Sequence, residues 1–356
     1  MTLYSRVRPL AFTLPAETAH ELGKRTLRGV QSTWPTRTAL SYAYRYEHPA
    51  LEVDLFDETF PNPVGVAAGF DKNAEVTHAL AALGFGFVEI GTVTPYPQPG
   101  NDRPRLFRLR EDEAMVNRMG FNGQGMERVK DRLERDGTPD VPVGVNIGKM
   151  NSSSESEAIE DYRRVFDRLS PFADYVVVNV SCPNTPEEFD EGSPAHLRSI
   201  FETLEAENDA NVPVLVKISP DSPEESIFDL VDIVQAFDLD SIVATNTSTS
   251  REELKSPNRE EWGGLSGKPI EDRSTAVVRS IAEYTDGDLP IVGVGGVDSA
   301  ASAYAKIRAG ASLVQLYTGF VYGGPSTAKR INRGLVELLE RDGFASIEDA
   351  VGADLE

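Results

Sequence analysis

The chain has 356 residues, a net charge of −22 and a pI near 4.6, which argues against nucleic-acid binding because that function needs a basic face. An apolar fraction of 40% suffices for a sizeable core in one or two domains. The single cysteine excludes a disulfide framework and a multi-thiolate metal cluster, and the sequence shows neither a signal peptide nor an apolar stretch of membrane-spanning length.

The acidic residues are spread along the chain, and only nine of the thirty-five basic residues are lysines. A distributed acidic, lysine-poor surface is similar to that of cytoplasmic proteins from salt-loving organisms, where high ionic strength screens self-repulsion. An ordinary acidic protein is the alternative. The charge indicates where the protein works and not what it does.

The first sixty residues predict a small helical segment. Ala16–Val30 reads as a helix after a proline, Pro35–Tyr46 is a second candidate helix, and Leu51–Phe60 suggests a small strand that plugs or flanks the main domain. We therefore expect a helical extension over residues 1–50, followed by the main domain over residues 51–356.

From residue 61 onward, short apolar runs alternate with segments of helical periodicity. The eight runs are Pro63–Gly69, Phe87–Thr94, Val141–Gly148, Tyr175–Cys182, Pro213–Ser219, Ser241–Thr247, Pro290–Gly296 and Leu313–Gly319. The clearest helical segments are Asp161–Leu169, Glu224–Ala236, Ser274–Tyr284 and Ala300–Ala309. Eight buried strands alternating with helices predict an α/β fold, a (β/α)8 TIM barrel. A doubly wound sheet is the competing architecture, but the loop after the first run, Ala67–Lys72, lacks its glycine fingerprint.

Two long polar segments, Asn151–Glu160 and Thr249–Gly264, are predicted to be loops beside the barrel mouth. Long loops in this position often act as lids.

The lone cysteine, Cys182, follows the β-branched run Val176–Val178 and precedes Pro183, which stops the strand. A lone cysteine is usually a small buried apolar residue. This one stands between Asn179 and Asn184 at the carboxyl end of a strand, where barrel enzymes place their reacting groups. We therefore expect a chemical role for the thiol.

The other strand ends are rich in amides and poor in carboxylates. The polar residues there are Asn146, Asn179, Asn184 and Asn246, with Lys72 and Lys217, and a fifth asparagine, Asn117, begins the motif Asn117–Phe121. Such a set suits a flat heterocycle with alternating carbonyl and N–H groups, and an anionic ring or carboxylate, better than a catalytic metal. The sequence therefore indicates a pyrimidine or a flavin and no metal.

Two glycine-containing loops follow the last two strands, Gly295-Gly296 and Tyr317-Thr318-Gly319. Barrels bind phosphate in these two loops, because glycine lets backbone N–H groups approach the phosphate oxygens. Ordinary tight turns are the alternative for either loop alone. Together they predict a phosphorylated ligand.

Several motifs in order along the chain carry a resemblance to a known family. They are Ala67–Lys72, Glu89–Pro95, Pro97–Asn101, Pro104–Arg108, Asn117–Phe121, Gly144–Gly148, Ser181–Asn184, Ala244–Thr247, Gly263–Gly267 and Gly293–Gly296. On these residues the chain resembles the dihydroorotate dehydrogenases, FMN enzymes of pyrimidine biosynthesis, over essentially its whole length.

The resemblance implies roles for individual residues. It places FMN against Ala68, Gly69, Thr92, Asn146, Asn179, Lys217, Thr245, Gly267, Gly296, Tyr317 and Thr318. It places dihydroorotate or orotate against Lys72, Asn117, Arg118, Met119, Gly120, Phe121, Asn179, Asn184, Asn246 and Thr247. Cys182 is then the base that takes the substrate proton.

The subclass features are mixed. The N-terminal extension, with His20, Arg108 and Tyr317 at quinone-end positions, resembles class 2 enzymes, which reduce a membrane quinone. Class 2 members carry serine as the base, whereas a cysteine resembles class 1. The architecture weighs more, and so we expect a quinone acceptor and a peripheral position on the cytoplasmic side of the cell membrane. The expected apolar contacts with the membrane are Leu10, Phe12, Leu14, Leu22 and Leu27.

Three alternatives remain open at this point. A class 1-type enzyme would use a soluble acceptor, fumarate or NAD. A phosphosugar-type barrel lyase or isomerase would use Lys217 or Lys72 as a Schiff-base amine and would be colourless. A silent ligand-binding barrel would not need a thiol facing its ligand.

Overall fold

The computed structural model describes residues 3–184 and 192–355. Residues 3–60 form three α-helices and a hairpin: α1 (Leu3–Ala11), α2 (Ala16–Gln31), α3 (Trp34–Tyr44), β1 (Val53–Leu55) and β2 (Glu58–Phe60). Both helices expected from the sequence are present, whereas α1 was not predicted. No helix among the described residues is long and apolar enough to cross a membrane. The division of the chain at residue 50 stays a prediction.

The main domain is a closed barrel of eight parallel strands. They are β3 (Val64–Val66), β4 (Phe87–Val93), β7 (Val143–Ile147), β8 (Tyr175–Asn179), β9 (Val214–Ile218), β10 (Ser241–Ala244), β12 (Ile291–Val294) and β13 (Leu313–Leu316). Each lies inside one of the eight predicted apolar runs, and every residue of these strands is buried. Because both faces of such a strand are covered, the runs are mostly apolar rather than alternating, and the few polar residues within the strands are buried. The prediction of a TIM barrel is confirmed.

The β1–β2 hairpin lies at the amino end of the barrel. The ring of Phe60 meets the ring of Phe87 edge-on at a centroid distance of 5.4 Å, and Phe87 is the first residue of β4. Gly65 makes room for this packing, because a Cβ there would overlap the Phe87 ring. The hairpin therefore closes the end of the barrel opposite the mouth.

The helices surround the barrel with one apolar face inward. They are α4 (Thr77–Ala82), α5 (Met126–Asp136), α6 (Glu155–Leu169), α7 (Pro194–Glu207), α8 (Glu224–Ala236), α9 (Glu271–Tyr284), α10 (Ala300–Arg308), α11 (Thr318–Gly323) and α12 (Thr327–Asp342). In α6 the buried residues Tyr162, Val165, Phe166 and Leu169 recur at the three- and four-residue spacing of one helix face.

A small antiparallel sheet covers the mouth. Its strands are β5 (Leu106–Leu109), β6 (Ala114–Asn117) and β11 (Gly264–Gly267), in the order β11-β6-β5. This sheet has no counterpart among the predicted elements, and Thr249–Gly264 is predicted to be a loop. That segment contains turns and a short 3-10 helix, Pro257–Glu260, and Gly264 begins β11.

The predicted loop Asn151–Glu160 is wrong in its second half, because α6 begins at Glu155. The backbone N–H of Ser154 donates to the Glu157 carboxylate at 2.9 Å, which satisfies one orphan donor of the helix start. Serine followed three residues later by glutamate is a readable helix-start signal. Lid motion of either segment stays a prediction.

Candidate active site

The carboxyl ends of the barrel strands and the antiparallel sheet enclose one cavity. Most residues that the sequence analysis assigned to cofactor or substrate line it. These are Ala68, Gly69, Lys72, Thr92, Asn117, Met119, Gly120, Phe121, Asn179, Cys182, Asn184, Lys217, Thr245, Asn246, Thr247, Gly267, Gly296, Tyr317 and Thr318. Two assigned residues, Asn146 and Arg118, are not in its lining.

Beneath the cavity lies a buried carboxylate, Glu89 of β4, which is fully shielded from solvent. It accepts hydrogen bonds from Asn146 Nδ2 at 2.9 Å and Gln315 Nε2 at 2.6 Å, and its Oε1 lies 3.9 Å from Lys217 Nζ. Neither Glu89 nor Gln315 is among the predicted site residues. A sequence signal for them exists: each is a charged or amide residue inside an otherwise apolar strand, and such a buried polar residue needs a partner.

Asn146 lies under the cavity floor rather than in its wall, and its assignment as a cofactor contact stays a prediction. Its Oδ1 accepts a hydrogen bond from Thr92 Oγ1 at 2.6 Å, and its Nδ2 donates a hydrogen bond to the Glu89 carboxylate. Asn179 Nδ2 in turn donates to Thr92 Oγ1 at 3.0 Å. Asn146 therefore fixes the two cavity residues above it.

Further amides form a cage around the other side of the cavity. Asn246 Nδ2 donates to Asn179 Oδ1 at 3.2 Å, and Asn184 Nδ2 donates to Asn117 Oδ1 at 3.1 Å. Asn184 Oδ1 is buried without a hydrogen-bond partner among the described residues. Because buried polar atoms are almost always paired, this oxygen indicates a ligand that donates a hydrogen bond.

Cys182 and Lys72 enter the cavity from two different loops. The loop before the thiol is held by Ser181, whose Oγ donates to the carbonyl of Lys217 at 2.7 Å. Burial lowers the pKa of Lys72 to about 8, and interaction with the Cys182 thiol opposes that shift. At neutral pH the cavity therefore carries an ammonium that can bind an anion.

The Arg118 side chain lies outside the cavity lining, and the assignment of this residue to the substrate stays a prediction. Its guanidinium pairs with Glu261 at 2.7 Å and lies over the rings of Phe107 and Trp262, 4.4 Å and 5.1 Å from their centroids. An ion pair and two cation–π contacts favour this outward position. Arg118 therefore joins the loop after β6 to the segment before β11.

At the opposite end of the cavity, the two predicted phosphate loops lie side by side. Gly296 has a φ of 76°, and a Cβ there would overlap Glu271. Ser266 Oγ and Thr318 Oγ1 form a hydrogen bond of 2.8 Å. Backbone N–H groups without side-chain obstruction and two hydroxyls suit a phosphate.

A second cavity of about 600 Å³ lies under α1 and α2 and is mostly apolar. It shares Leu106, Met115 and Tyr317 with the first cavity, so these three side chains separate the two spaces. The ring of His20 stacks on that of Tyr317 at 6.2 Å. Burial lowers the pKa of His20 to about 3, so this imidazole is neutral at working pH.

Arg108 lies in the wall of the apolar cavity and fastens the turn between α1 and α2. Its Nη1 donates to the carbonyls of Phe12 at 3.1 Å and Leu14 at 2.9 Å, and its guanidinium lies 4.5 Å from the centroid of the Phe12 ring. His20, Arg108 and Tyr317, which the resemblance grouped, therefore all line this one cavity.

The apolar residues proposed to contact a membrane divide into two groups. Leu10, Leu22 and Leu14 are 72%, 54% and 39% exposed at the mouth of the apolar cavity. The expectation for Phe12 needs correction, whereas Leu27 is half-buried and lines the apolar cavity. Phe12 is buried against the ring of Tyr322 at 5.3 Å, and Leu27 packs on the main core.

Comparison with known proteins places these features in a family. The family model for dihydroorotate dehydrogenase matches residues 50–339. The protein "Dihydroorotate dehydrogenase (quinone)" of Natronomonas pharaonis is 55% identical over 356 residues, covering 100% of both chains. The protein of the same name from Halobacterium salinarum is 54% identical over 355 residues, covering 99% of this chain and 100% of the relative.

A solved structure agrees with the sequence relatives. The crystal structure of DHODH from Eimeria tenella in complex with ferulenol matches with a TM-score of 0.88 and 35% identity, covering 97% of this chain and 98% of that chain. The match to the family model and the full-length relatives lead to one conclusion: the chain belongs to the dihydroorotate dehydrogenase family.

Proposed function

We propose that this protein oxidises (S)-dihydroorotate to orotate with FMN and passes the electrons to a quinone, as a step of pyrimidine biosynthesis. The observation that carries the proposal is the pair of adjoining cavities, one lined by amides, Lys72 and Cys182, the other apolar. The relatives named as quinone enzymes support the same activity. The test is steady-state oxidation of dihydroorotate with quinone, fumarate and NAD offered separately. Turnover only with fumarate or NAD would contradict the quinone assignment.

FMN fits the residues of the first cavity. Backbone groups at Gly296 and the hydroxyls of Ser266 and Thr318 suit its phosphate, and the buried ammonium of Lys217 suits an electron-rich ring. A bound flavin supplies the acceptor for the hydride that leaves C6 of dihydroorotate. A flavin also separates this function from a lyase, which would be colourless.

We expect one tightly bound FMN per chain, because the two glycine loops that line the cavity suit a monophosphate. Denaturing the protein should release a yellow chromophore that chromatographs with FMN in a one-to-one ratio to protein. Release of FAD, or of no flavin, would contradict the cofactor assignment.

The chain's own residues would orient the substrate and move its proton. The amides of Asn117, Asn184 and Asn246 offer donors and acceptors to the pyrimidine ring, and the Lys72 ammonium attracts its carboxylate. Cys182 would take the proton from C5. Since the base and the hydride acceptor must lie on opposite faces of the ring, the cage has to hold the ring between them.

We expect orotate binding to weaken as the pH rises above about 8, because Lys72, whose pKa is lowered to about 8, then loses the charge that attracts the carboxylate. The measurement is the Kd of orotate from about pH 6 to about pH 9, a range that brackets this titration. In Lys72→Arg the side chain stays charged, so the rise in the Kd of orotate at alkaline pH (the alkaline limb) should disappear. In Cys182→Ala that rise should remain. An unchanged limb in Lys72→Arg would assign the titration to another group.

The apolar cavity is proposed to receive the quinone, with His20, Arg108 and Tyr317 in its wall. Exposed Leu10, Leu14 and Leu22 at its mouth support a peripheral position on the cytoplasmic side of the cell membrane. The lysine-poor, acidic composition supports a high-salt cytoplasm, as do the relatives from Halobacterium salinarum and Haloarcula marismortui. High salt screens charges, so apolar contact would dominate the docking.

A further inference from the structure

The loop that carries Lys72 runs from the end of β3 to α4 and is held firmly against the barrel. Asp71, which is fully buried, accepts hydrogen bonds from the backbone N–H groups of Glu75 at 2.8 Å and Val76 at 2.7 Å. Its own carbonyl accepts from the N–H of Gly91 in β4 at 3.2 Å. These three hydrogen bonds fix the backbone of the loop that contains Lys72 against the barrel.

The outer side of this loop is held by α2, through contacts on both sides of Lys72. Before the lysine, the His20 ring meets the Phe70 ring edge-on at a centroid distance of 5.1 Å. After it, Lys24 Nζ forms an ion pair with the carboxylate of Glu75. Helix α2 therefore contacts the loop on both sides of Lys72, which lines the same cavity as Cys182.

Two more residues of α2 reinforce the grip on Glu75. Arg28 Nη1 lies 3.2 Å from Glu75 Oε1, and Gln31 Nε2 donates to the Glu75 carbonyl at 2.8 Å. Interaction with Lys24 and Arg28 keeps the pKa of the Glu75 carboxyl below its usual value, although burial opposes this. The carboxylate is thus ionised and held by one helix.

The Lys24–Glu75 pair is buried, with Lys24 only 4% and Glu75 8% exposed. The free energy needed to move two charges out of water offsets most of their mutual attraction, so such a pair adds little net stability to the fold. Removing one partner leaves an uncompensated buried charge, which moves the surrounding backbone or draws in water. A buried pair between two elements therefore fixes their relative position more than it stabilises the fold.

We propose that Lys24 and Glu75 are positioning residues for dihydroorotate oxidation, which hold the β3–α4 loop so that Lys72 faces Cys182 in the substrate cavity. Helix α2 then serves both ends of the reaction: one part lines the apolar cavity and another sets the substrate-binding lysine. The inference rests on the proposed function, because it takes Lys72 as a substrate contact. It also means that deleting the N-terminal helices would disturb both half-reactions, so single substitutions are the sharper test.

The experiment compares Lys24→Met and Glu75→Gln with Arg25→Met in the full-length, flavin-loaded protein. Arg25 is the next residue of α2 and is exposed, so its substitution removes the same charge from the same helix without touching the loop. For each variant we would measure the Kd of orotate, the KM and kcat for dihydroorotate, the flavin content and the melting temperature.

We expect the Kd of orotate and the KM for dihydroorotate to rise on the order of tenfold in Lys24→Met and Glu75→Gln, since small misplacements of a binding group have effects of at least this size. The kcat at saturating substrate and the flavin content should change much less, and Arg25→Met should match the wild type. A purely structural pair would lower the melting temperature and leave the Kd of orotate unchanged, and that result would overturn the inference. If Lys24→Met does not fold, the same measurements on the nearly isosteric variant Glu75→Gln test the inference. Failure of the wild type to bind orotate would instead reject the proposed function.

Discussion

Cys182→Ala is expected to bind FMN and orotate normally yet to be reduced by dihydroorotate about 10²–10⁴-fold more slowly, the usual contribution of a general base. The thiol lines the substrate cavity, and its loop is fixed by the Ser181–Lys217 hydrogen bond, which does not involve the thiol. Loss of the side chain should therefore remove the proton acceptor without moving the amide cage. The measurement is anaerobic flavin reduction followed by stopped-flow absorbance.

Cys182→Ser tests the acidity of the base alone, because a serine side chain is similar in size to a cysteine side chain but ionises much less readily. An ordinary thiol has a pKa of about 8.5, so a few per cent is thiolate at neutral pH, whereas a hydroxyl must be activated during the transfer. We expect the serine variant to keep part of the activity and to need a higher pH to approach the wild-type rate. Should Cys182→Ala reduce its flavin as fast as the wild type, the thiol is a packing residue and the base lies elsewhere.

The barrel and the position of its site could be read from the sequence because both depend on local patterns. A strand such as Val176–Val178 is buried on both faces and is continuously apolar, and polar groups then collect where the strand stops. Glu89 and Gln315 are also local signals, since each interrupts an apolar strand. Their meeting under the cavity could not be read, because they lie on strands far apart in the chain.

Long-range pairing explains the remaining differences. Strand β11 pairs with β6, and Gly264 meets Asn117 across a long stretch of chain; four-residue strands with polar residues have no periodic signal of their own. Arg118 was grouped with its neighbours in sequence, but Phe107 and Trp262, which attract its guanidinium, come from other segments. The Lys24–Glu75 ion pair could not be predicted from the sequence either, because its two residues come from different segments of the chain.

Gly23→Trp is expected to lower quinone turnover on the order of a hundredfold, an effect like that of displacing a reactant by about an ångström. Gly23 lines the apolar cavity, and a Cβ built on it meets no atom within 4 Å, so an indole can enter the space proposed for the quinone. Tryptophan is also a better helix former than glycine, so α2 should not be weakened.

Gly29→Trp is the matched control, because Gly29 lies on the same helix, is equally open at its Cβ and does not line the cavity. Anaerobic reduction of the flavin by dihydroorotate should be unchanged in both variants, since neither residue lines the substrate cavity. A selective loss of quinone turnover in Gly23→Trp would place the acceptor behind Leu106, Met115 and Tyr317, the side chains shared by the two cavities. Equal quinone turnover in the two variants would mean that electrons leave the flavin by another route, and the soluble acceptors of a class 1-type enzyme would then be favoured.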